Sequence, residues 1–167
     1  MKFRTSRRII APGAALAVSA LMVLVLAALT AAVVMAASAL ADHRTVADNR
    51  DTLRAQAAGI VATVFSVDAA DWQADRARSR SLVAADFAGS FAAQLRRAPA
   101  TGTAAIRWRP DSVAVIDAGT DDGDVLVRAS VVTRADGGQE TTDHLTLRAG
   151  FVLAEGHWLL RSAEVLQ

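Results

Sequence analysis

The dominant pattern in the chain is an unbroken run of 33 uncharged and mostly apolar residues, 9–41. About 20 such residues are enough for a helix to cross the hydrocarbon core of a bilayer. At about 1.5 Å per residue the whole run would be roughly 50 Å long, so the helix must tilt or protrude. Because Pro12 and Gly13 are typical of a helix start, we predict one transmembrane helix that spans the membrane with residues 14–39.

Four basic residues and no acidic residue precede this run: Lys2, Arg4, Arg7 and Arg8. Basic flanks are retained on the cytoplasmic side of a membrane. We therefore predict a cytoplasmic tail (1–8), a transmembrane helix (9–41), a stalk or linker helix (42–54) and an extracytoplasmic domain (55–167). The predicted location is the cell (inner) membrane, which the chain crosses once.

A cleaved signal peptide is the alternative interpretation of the apolar run. Ala39-Leu40-Ala41 before Asp42 matches an A-x-A cleavage site. However, the apolar region of a signal peptide has only about 7–15 residues. The length of the run therefore favours a retained anchor.

Beyond the run, apolar positions first recur at helical spacing. Within residues 45–67 they predict an amphipathic helix, whose polar part up to Arg54 continues the membrane helix. Its apolar members are Leu53, Ala57, Ile60, Val61, Val64 and Phe65. Asp68 to Asp71 are predicted to break the chain and to cap a short helix over 72–77. Another helix, from Ser79 or Ser81, is predicted from a stripe formed by Leu82, Val83, Phe87, Phe91 and Leu95.

From Ala104 onward the period of the pattern changes to two, which predicts strands. The four predicted strands are 106–117, 124–133, 141–153 and 157–166. Pro110 is expected to bend the first strand, and Asp136-Gly137-Gly138 and Glu155-Gly156 are hairpin signals. The predicted fold class is α+β: a single N-terminal transmembrane helix, then two or three helices packed on a curved four-stranded antiparallel sheet.

Composition narrows the functional classes. The 126 residues after Ala41 suffice for one domain and carry 14 basic and 17 acidic side chains. This net charge of −3 argues against nucleic acid as a partner, since nucleic-acid-binding proteins carry a basic patch. The chain has no cysteine, which excludes disulfides and thiolate metal sites.

The candidate site residues are few, and none indicates catalysis. His144, Thr146 and Arg148 share one strand face, which is either a partner-binding face or an ordinary solvated face of an antiparallel sheet. His43 is expected at the membrane interface, and His157 has no carboxylate or second His at metal-ligand spacing. Asp86 lies in an apolar segment, where it either acts as a base or, more often, faces water or bonds a neighbouring loop. We predict no catalytic residue, metal or cofactor.

Aromatic residues give a second candidate site. Phe87, Phe91 and Trp158 are predicted to line a pocket between the helices and the sheet, or simply to fill the core there. A pocket would make the exported domain a binder of a small lipid-like molecule.

Four segments together resemble the actinobacterial Mce-associated membrane proteins: the basic-tailed anchor, residues 69–76, Leu82-Val83-Ala84-Ala85-Asp86-Phe87 and Gly156-His157-Trp158-Leu159-Leu160. The family tends to have Gly where this chain has Ala85. The resemblance implies a cone-shaped exported domain with a nuclear-transport-factor-2-like fold. It also implies a non-catalytic accessory subunit that stabilises or assembles an Mce-type lipid import system, with the Mce transporter subunits, the membrane and a lipid as partners.

Type IV secretion inner-membrane components share the plan of an anchor followed by a cone-shaped domain. An assembly component of that kind is therefore a further hypothesis beside the Mce accessory subunit and the lipid-binding domain. Fold similarity alone does not decide among them.

Overall fold

The computed structural model describes residues 12–87, 93 and 95–166, except for the side chains of residues 12–21 and 39–42. The chain divides into two compact units, which we call the N-terminal unit (Met1–His43) and the C-terminal unit (Arg44–Gln167). Helix α1 (Pro12–Phe65) has residues in both units, and all other elements belong to the C-terminal unit.

The described part of the N-terminal unit is the apolar helical segment that the sequence predicts. Its large apolar side chains are 50–70% exposed from Met22 to Met35, a pattern that suits lipid rather than water. The hydroxyl of Thr30 donates back to the carbonyl oxygens of Leu26 and Ala27, at 3.1 and 2.9 Å, so it needs no solvent partner. Within the described residues α1 is long and apolar enough to cross a membrane, which is consistent with single-pass anchoring.

In the C-terminal unit, α1 buries the stripe that its sequence predicts. Leu53, Ala57, Ile60, Val61, Val64 and Phe65 are all at most 7% exposed. Asn49 is buried as well, so two members of the predicted stalk (42–54), Asn49 and Leu53, pack against the domain. The polar residues between them remain exposed, which makes α1 amphipathic here.

The unit also contains a curled antiparallel sheet with the strand order β1-β2-β3-β4-β5. The strands are β1 (Val67–Asp68), β2 (Thr103–Ala118), β3 (Asp122–Ala135), β4 (Glu140–Ala154) and β5 (His157–Leu166). β2 to β5 are the four predicted strands, but the predicted strand count is wrong because β1 adds a fifth. A two-residue strand has no detectable period, so its sequence gives no signal.

Irregularities in the ladder allow the sheet to curl. Register shifts occur in β2 between Pro110 and Ser112, where the bend was predicted, and between Val115 and Asp117. A further shift lies between Thr103 and Ala105 in β2, and the β4–β5 pair has one opposite Gly150 and Phe151. Bulges of this kind increase the local twist and bend the strand. The face that curls around α1, the inner face, carries the fully buried side chains of Val125, Val127, Leu147, Phe151 and Leu160, among others.

The helix predicted from Ser79 or Ser81 to Leu95 is wrong for its first part. Helix α2 (Trp72–Arg80) takes in the predicted short helix and ends at Arg80. Val83 then forms a parallel bridge with Leu160 of β5. The Ala84 N–H donates to the Leu160 carbonyl, and the Leu160 N–H donates to the Leu82 carbonyl, both at 2.9 Å. Pairing with a strand edge therefore overrides the helical periodicity of this segment.

The predicted side-chain cap of α2 is also wrong. Asp71 occupies the N-cap position but makes no side-chain cap hydrogen bond. Instead, the turn before α2 is held by Asp68, whose Oδ1 accepts from the Ala70 N–H at 3.1 Å. The Asp68 N–H in turn donates to Asp75 Oδ2 at 2.9 Å. The acidic residues do organise this turn, but through different bonds.

Asn49 ties α1 to the β2–β3 turn, and its removal should destabilise the C-terminal unit. Its Nδ2 donates to the carbonyls of Gly119 and Thr120 at 3.1 and 2.7 Å. Asn49→Ala leaves both carbonyls without this donor, so we expect a loss of about 1–2 kcal/mol in the free energy of unfolding. Denaturant unfolding followed by circular dichroism measures it. The exposed neighbour Asp48 gives the control, because Asp48→Ala should change stability by less than about 0.5 kcal/mol; equal effects would contradict the role of Asn49.

Candidate functional site

The outer face, the side of the sheet opposite to the inner face, is the polar surface that the sequence indicates. Three consecutive rows on it are Arg109–Ser130–His144, Ser112–Arg128–Thr146 and Leu126–Arg148–Glu164. His144, Thr146 and Arg148 do lie together on this face, at successive outward positions of β4, because side chains alternate along a strand. Their role in binding a partner stays a prediction.

At the centre of this face, Ser130 lies between Asp111 and His144. Ser130 Oγ is 2.9 Å from Asp111 Oδ2 and 3.2 Å from His144 Nδ1. A hydroxyl has one proton, so donation to the carboxylate leaves a lone pair that accepts from Nδ1–H of the imidazole. In serine hydrolases the histidine lies between the serine and the aspartate and removes the serine proton. In this order the three residues orient His144 instead of activating Ser130.

This order predicts that Ser130 is not a nucleophile. We expect the full chain and its Ser130→Ala variant to hydrolyse p-nitrophenyl acetate at the same background rate. A His144→Gln variant serves as control for imidazole-catalysed background. Loss of a burst phase in Ser130→Ala alone would contradict this assignment.

Arg148 is held by an ion pair with β3. Its Nη2 lies 2.6 Å from Asp124 Oδ2, and this hydrogen bond raises the pKa of Arg148, with a smaller contribution from Glu164. Gly150 lies beside this pair and leaves room for it. A side chain at this position would clash, because its Cβ would lie 2.5 Å from Ser162 Oγ and 3.1 Å from Asp124 Oδ1. Arg148 is therefore a fixed cation on the outer face.

Other arginines on the outer face are not neutralised by described residues. Arg128 lines a shallow depression of about 110 Å³ together with Asp111, His144 and Thr146. Neither Arg128 nor Arg109 forms an ion pair with any residue in the described part of the chain. The bulge in β2 brings Asp111 into this depression. The surface thus offers guanidinium and imidazole groups to polar or acidic groups of a partner.

The predicted aromatic pocket is not brought together by the described residues. Trp158 is 2% exposed and borders a cleft of about 500 Å³ with Gln56, Ile60 and Leu82. Phe87 borders a different cleft of about 230 Å³, beside Val83 and Leu95. Phe91 lies outside the described residues. The space between α1 and the inner face is filled by side chains of the core cluster.

The described part of the chain shows neither a metal-binding group nor a buried carboxylate suited to acid–base catalysis. No group of three or more His, Asp or Glu side chains there could hold a metal ion. Asp86 is exposed. Asp68 Oδ2 lies 3.9 Å from Arg107 Nη2 and 3.7 Å from Arg134 Nη2. The sequence does not reveal this ion cluster, because β1, which carries Asp68, is too short to be predicted as a strand. Burial lowers the pKa of Arg76, but arginine stays charged at physiological pH.

No family model matches the chain, and no curated protein matches it. Among solved structures, the chain is similar to the crystal structure of an IcmL-like type IV secretion system protein from Legionella pneumophila. The TM-score is 0.59 at 13% sequence identity, and the match covers 70% of this chain and 91% of the other. Similarity at this identity shows a shared fold and no more. The nuclear-transport-factor-2-like fold and the resemblance to Mce-associated proteins stay predictions.

Proposed function

We propose that this chain is a membrane-anchored, non-catalytic assembly component of a protein complex in the cell envelope, of the kind to which type IV secretion systems belong. The observation that carries the proposal is the fold shared with the IcmL-like protein, which covers nearly all of that chain. The exposed apolar segment of α1 supplies the anchor, and the basic tail supports an extracytoplasmic C-terminal unit. The outer face then offers fixed polar groups for protein contacts.

In the described part of the chain, the arrangement of the polar side chains supports a non-catalytic role. Ser130 donates to Asp111, and the described Asp and Glu side chains form no metal-binding group.

An accessory subunit of an Mce-type lipid importer is the second candidate. Its support is the order of the four sequence segments that resemble Mce-associated proteins, Gly156-His157-Trp158 above all. Both candidates predict an anchored partner-binding domain, and they differ in the identity of the partner.

Mild extraction of the tagged full chain from membranes of its own host, followed by mass spectrometry, tests the proposal. Recovery of subunits of a secretion apparatus is the expected result, whereas recovery of Mce transporter subunits would support the second candidate. In a matched control the apolar segment is exchanged for an unrelated transmembrane helix, and the same partners should still be recovered. Purification of the chain alone in both forms would contradict both candidates.

A further inference from the structure

The two edges of the sheet differ in how completely they are closed. The edge at β2 is paired with β1 over Ala105 and Ile106. Farther along, Ser66 Oγ accepts from the Trp108 N–H at 3.0 Å, and Arg50 Nη2 donates to the Val115 carbonyl at 3.2 Å. Pro110 between them has no N–H to offer. Such features protect an edge strand from pairing with another chain.

The edge at β5 is closed at one end only. Leu160 pairs with the segment Leu82–Ala84 through its own N–H and carbonyl. Beyond it, residues 161–166 have no strand partner on that side among the described residues. Arg161 is the extra residue of the bulge in this strand, and the stretch after it contains no Pro and one charged residue, Glu164. Its apolar Val165 is 39% exposed. Beyond the bulge, the edge therefore lacks the covering strand and the proline that protect the β2 edge.

Strand geometry identifies the free hydrogen-bonding groups. Leu160 faces the core, and its backbone groups point away from β4. Ala163 and Val165 lie opposite Ala149 and Leu147 of the inner face, so their side chains are on the same side as Leu160. In one strand, residues whose side chains point to the same face also have their N–H and C=O groups pointing to the same side of the strand. The N–H and carbonyl groups of Ala163 and Val165 thus point outward from the sheet.

We infer that β5 binds an extended segment of a partner protein, which adds to the sheet as a sixth strand along residues 161–166. This inference rests on the proposed function and specifies how the assembly contact is made. The pairing of Leu82–Ala84 with Leu160 shows that this edge accepts a strand. The partner segment would pair with the residues of β5 that follow Leu160. Main-chain hydrogen bonds then give affinity, and alternate side chains give specificity.

The exposed side chains of β5 define the chemistry of the segment. Every second side chain must be apolar to cover Val165. The others should be neutral or basic, because Glu164 is the exposed charge beside the added strand and Arg148, opposite it in β4, is already paired with Asp124. A second copy of this chain is disfavoured in the symmetric register that pairs Ala163 with Val165, because two Glu164 carboxylates would lie directly opposite each other. The registers centred on Ala163 or on Val165 avoid that contact, and sedimentation of the chain without peptide tests them.

The test uses the purified full chain in lipid nanodiscs and the peptide acetyl-Val-Lys-Val-Thr-Val-Lys-amide. Hydrogen exchange at the amides of Ala163 and Val165 should slow by about tenfold at saturating peptide. Exchange at Ser162 and Glu164, which pair with β4, should stay unchanged. No slowing at millimolar peptide would overturn the inference while leaving the co-purification of envelope partners untouched.

Two methylated peptides separate strand addition from apolar adsorption. One carries N-methyl groups on its three valines and the other on its three polar residues. Only one set of amides in an added strand points at β5, so one methylated peptide should protect and the other should not. Equal protection by both peptides would overturn the inference.

Val165→Pro removes the outward N–H without touching a β4–β5 bond, and should abolish the protection of Ala163. Val165→Ala keeps the N–H and should retain protection with weaker binding. If Val165→Pro fails to fold, Val165→Lys replaces it, since an edge lysine opposes strand addition. A dimer in sedimentation experiments without peptide that Val165→Lys dissociates would overturn the inference in favour of a second copy.

Discussion

Trp158→Ala should lower the free energy of unfolding of the C-terminal unit by about 3–5 kcal/mol, the range found for truncation of a buried aromatic side chain. Trp158 is 2% exposed and lies at the start of β5, where it belongs to the main core cluster. Its indole Nε1–H donates to Thr52 Oγ1 on α1 at 3.2 Å. The substitution therefore opens a cavity and also removes a link between the sheet and the helix.

Guanidinium unfolding of the full chain in detergent, followed by circular dichroism, measures this loss. Trp158→Phe separates the hydrogen bond from the packing and should cost about 1 kcal/mol for the bond, besides a smaller loss of volume. Trp72, which is only half-buried at the start of α2, provides the matched control. If Trp72→Ala proves as destabilising as Trp158→Ala, the assignment of Trp158 to the core is wrong.

Gly123→Ala should destabilise the same unit by about 1–3 kcal/mol, although Ala is tolerated better than Gly in most strands. Gly123 is buried near the start of β3, where the sheet approaches α1. A Cβ at this position would lie 2.6 Å from Leu53 Cδ2 and 3.0 Å from the Asp117 carbonyl oxygen. The Leu53 side chain is itself fully buried, so it has little room to move. Gly123→Val should be worse still.

Gly59 on α1 offers the opposite case and serves as the control. It is exposed, and nothing lies within 4 Å of the Cβ that a substitution would add. Gly59→Ala should therefore stabilise the helix by about 0.5–1 kcal/mol, because Gly loses more backbone entropy on folding. Thermal unfolding should give a lowered midpoint for Gly123→Ala and a raised one for Gly59→Ala, and an unchanged or raised midpoint for Gly123→Ala would show that Gly123 is not a contact point.

For the candidate site, alternation along β4 is enough to place His144, Thr146 and Arg148 on one face, because it depends only on the period of a strand. The contact of Ser130 with Asp111 could not be predicted, since it requires the register between β2 and β3 and the bulge beside Pro110. Phe87 and Trp158 border separate clefts, because the segment after Arg80 pairs with β5 instead of forming the predicted helix, and Phe91 lies outside the described residues. That residues 161–166 have no described strand partner beyond β4 also has no sequence signal, because the order of strands in a sheet is not local information.

Local periodicity determined most elements of this protein. The apolar run, the buried stripe of α1 and the strands β2 to β5 each bury or expose one face along many residues, so the signal accumulates over their length. The tertiary structure decided the short segments. Leu82–Ala84 has the spacing of a helix, but the free N–H and carbonyl of Leu160 pair with it as a strand. Val67–Asp68 is too short to show a period and becomes β1 through its pairing with β2. In such segments long-range hydrogen bonds outweigh a weak local preference, and only the folded chain brings their partners together.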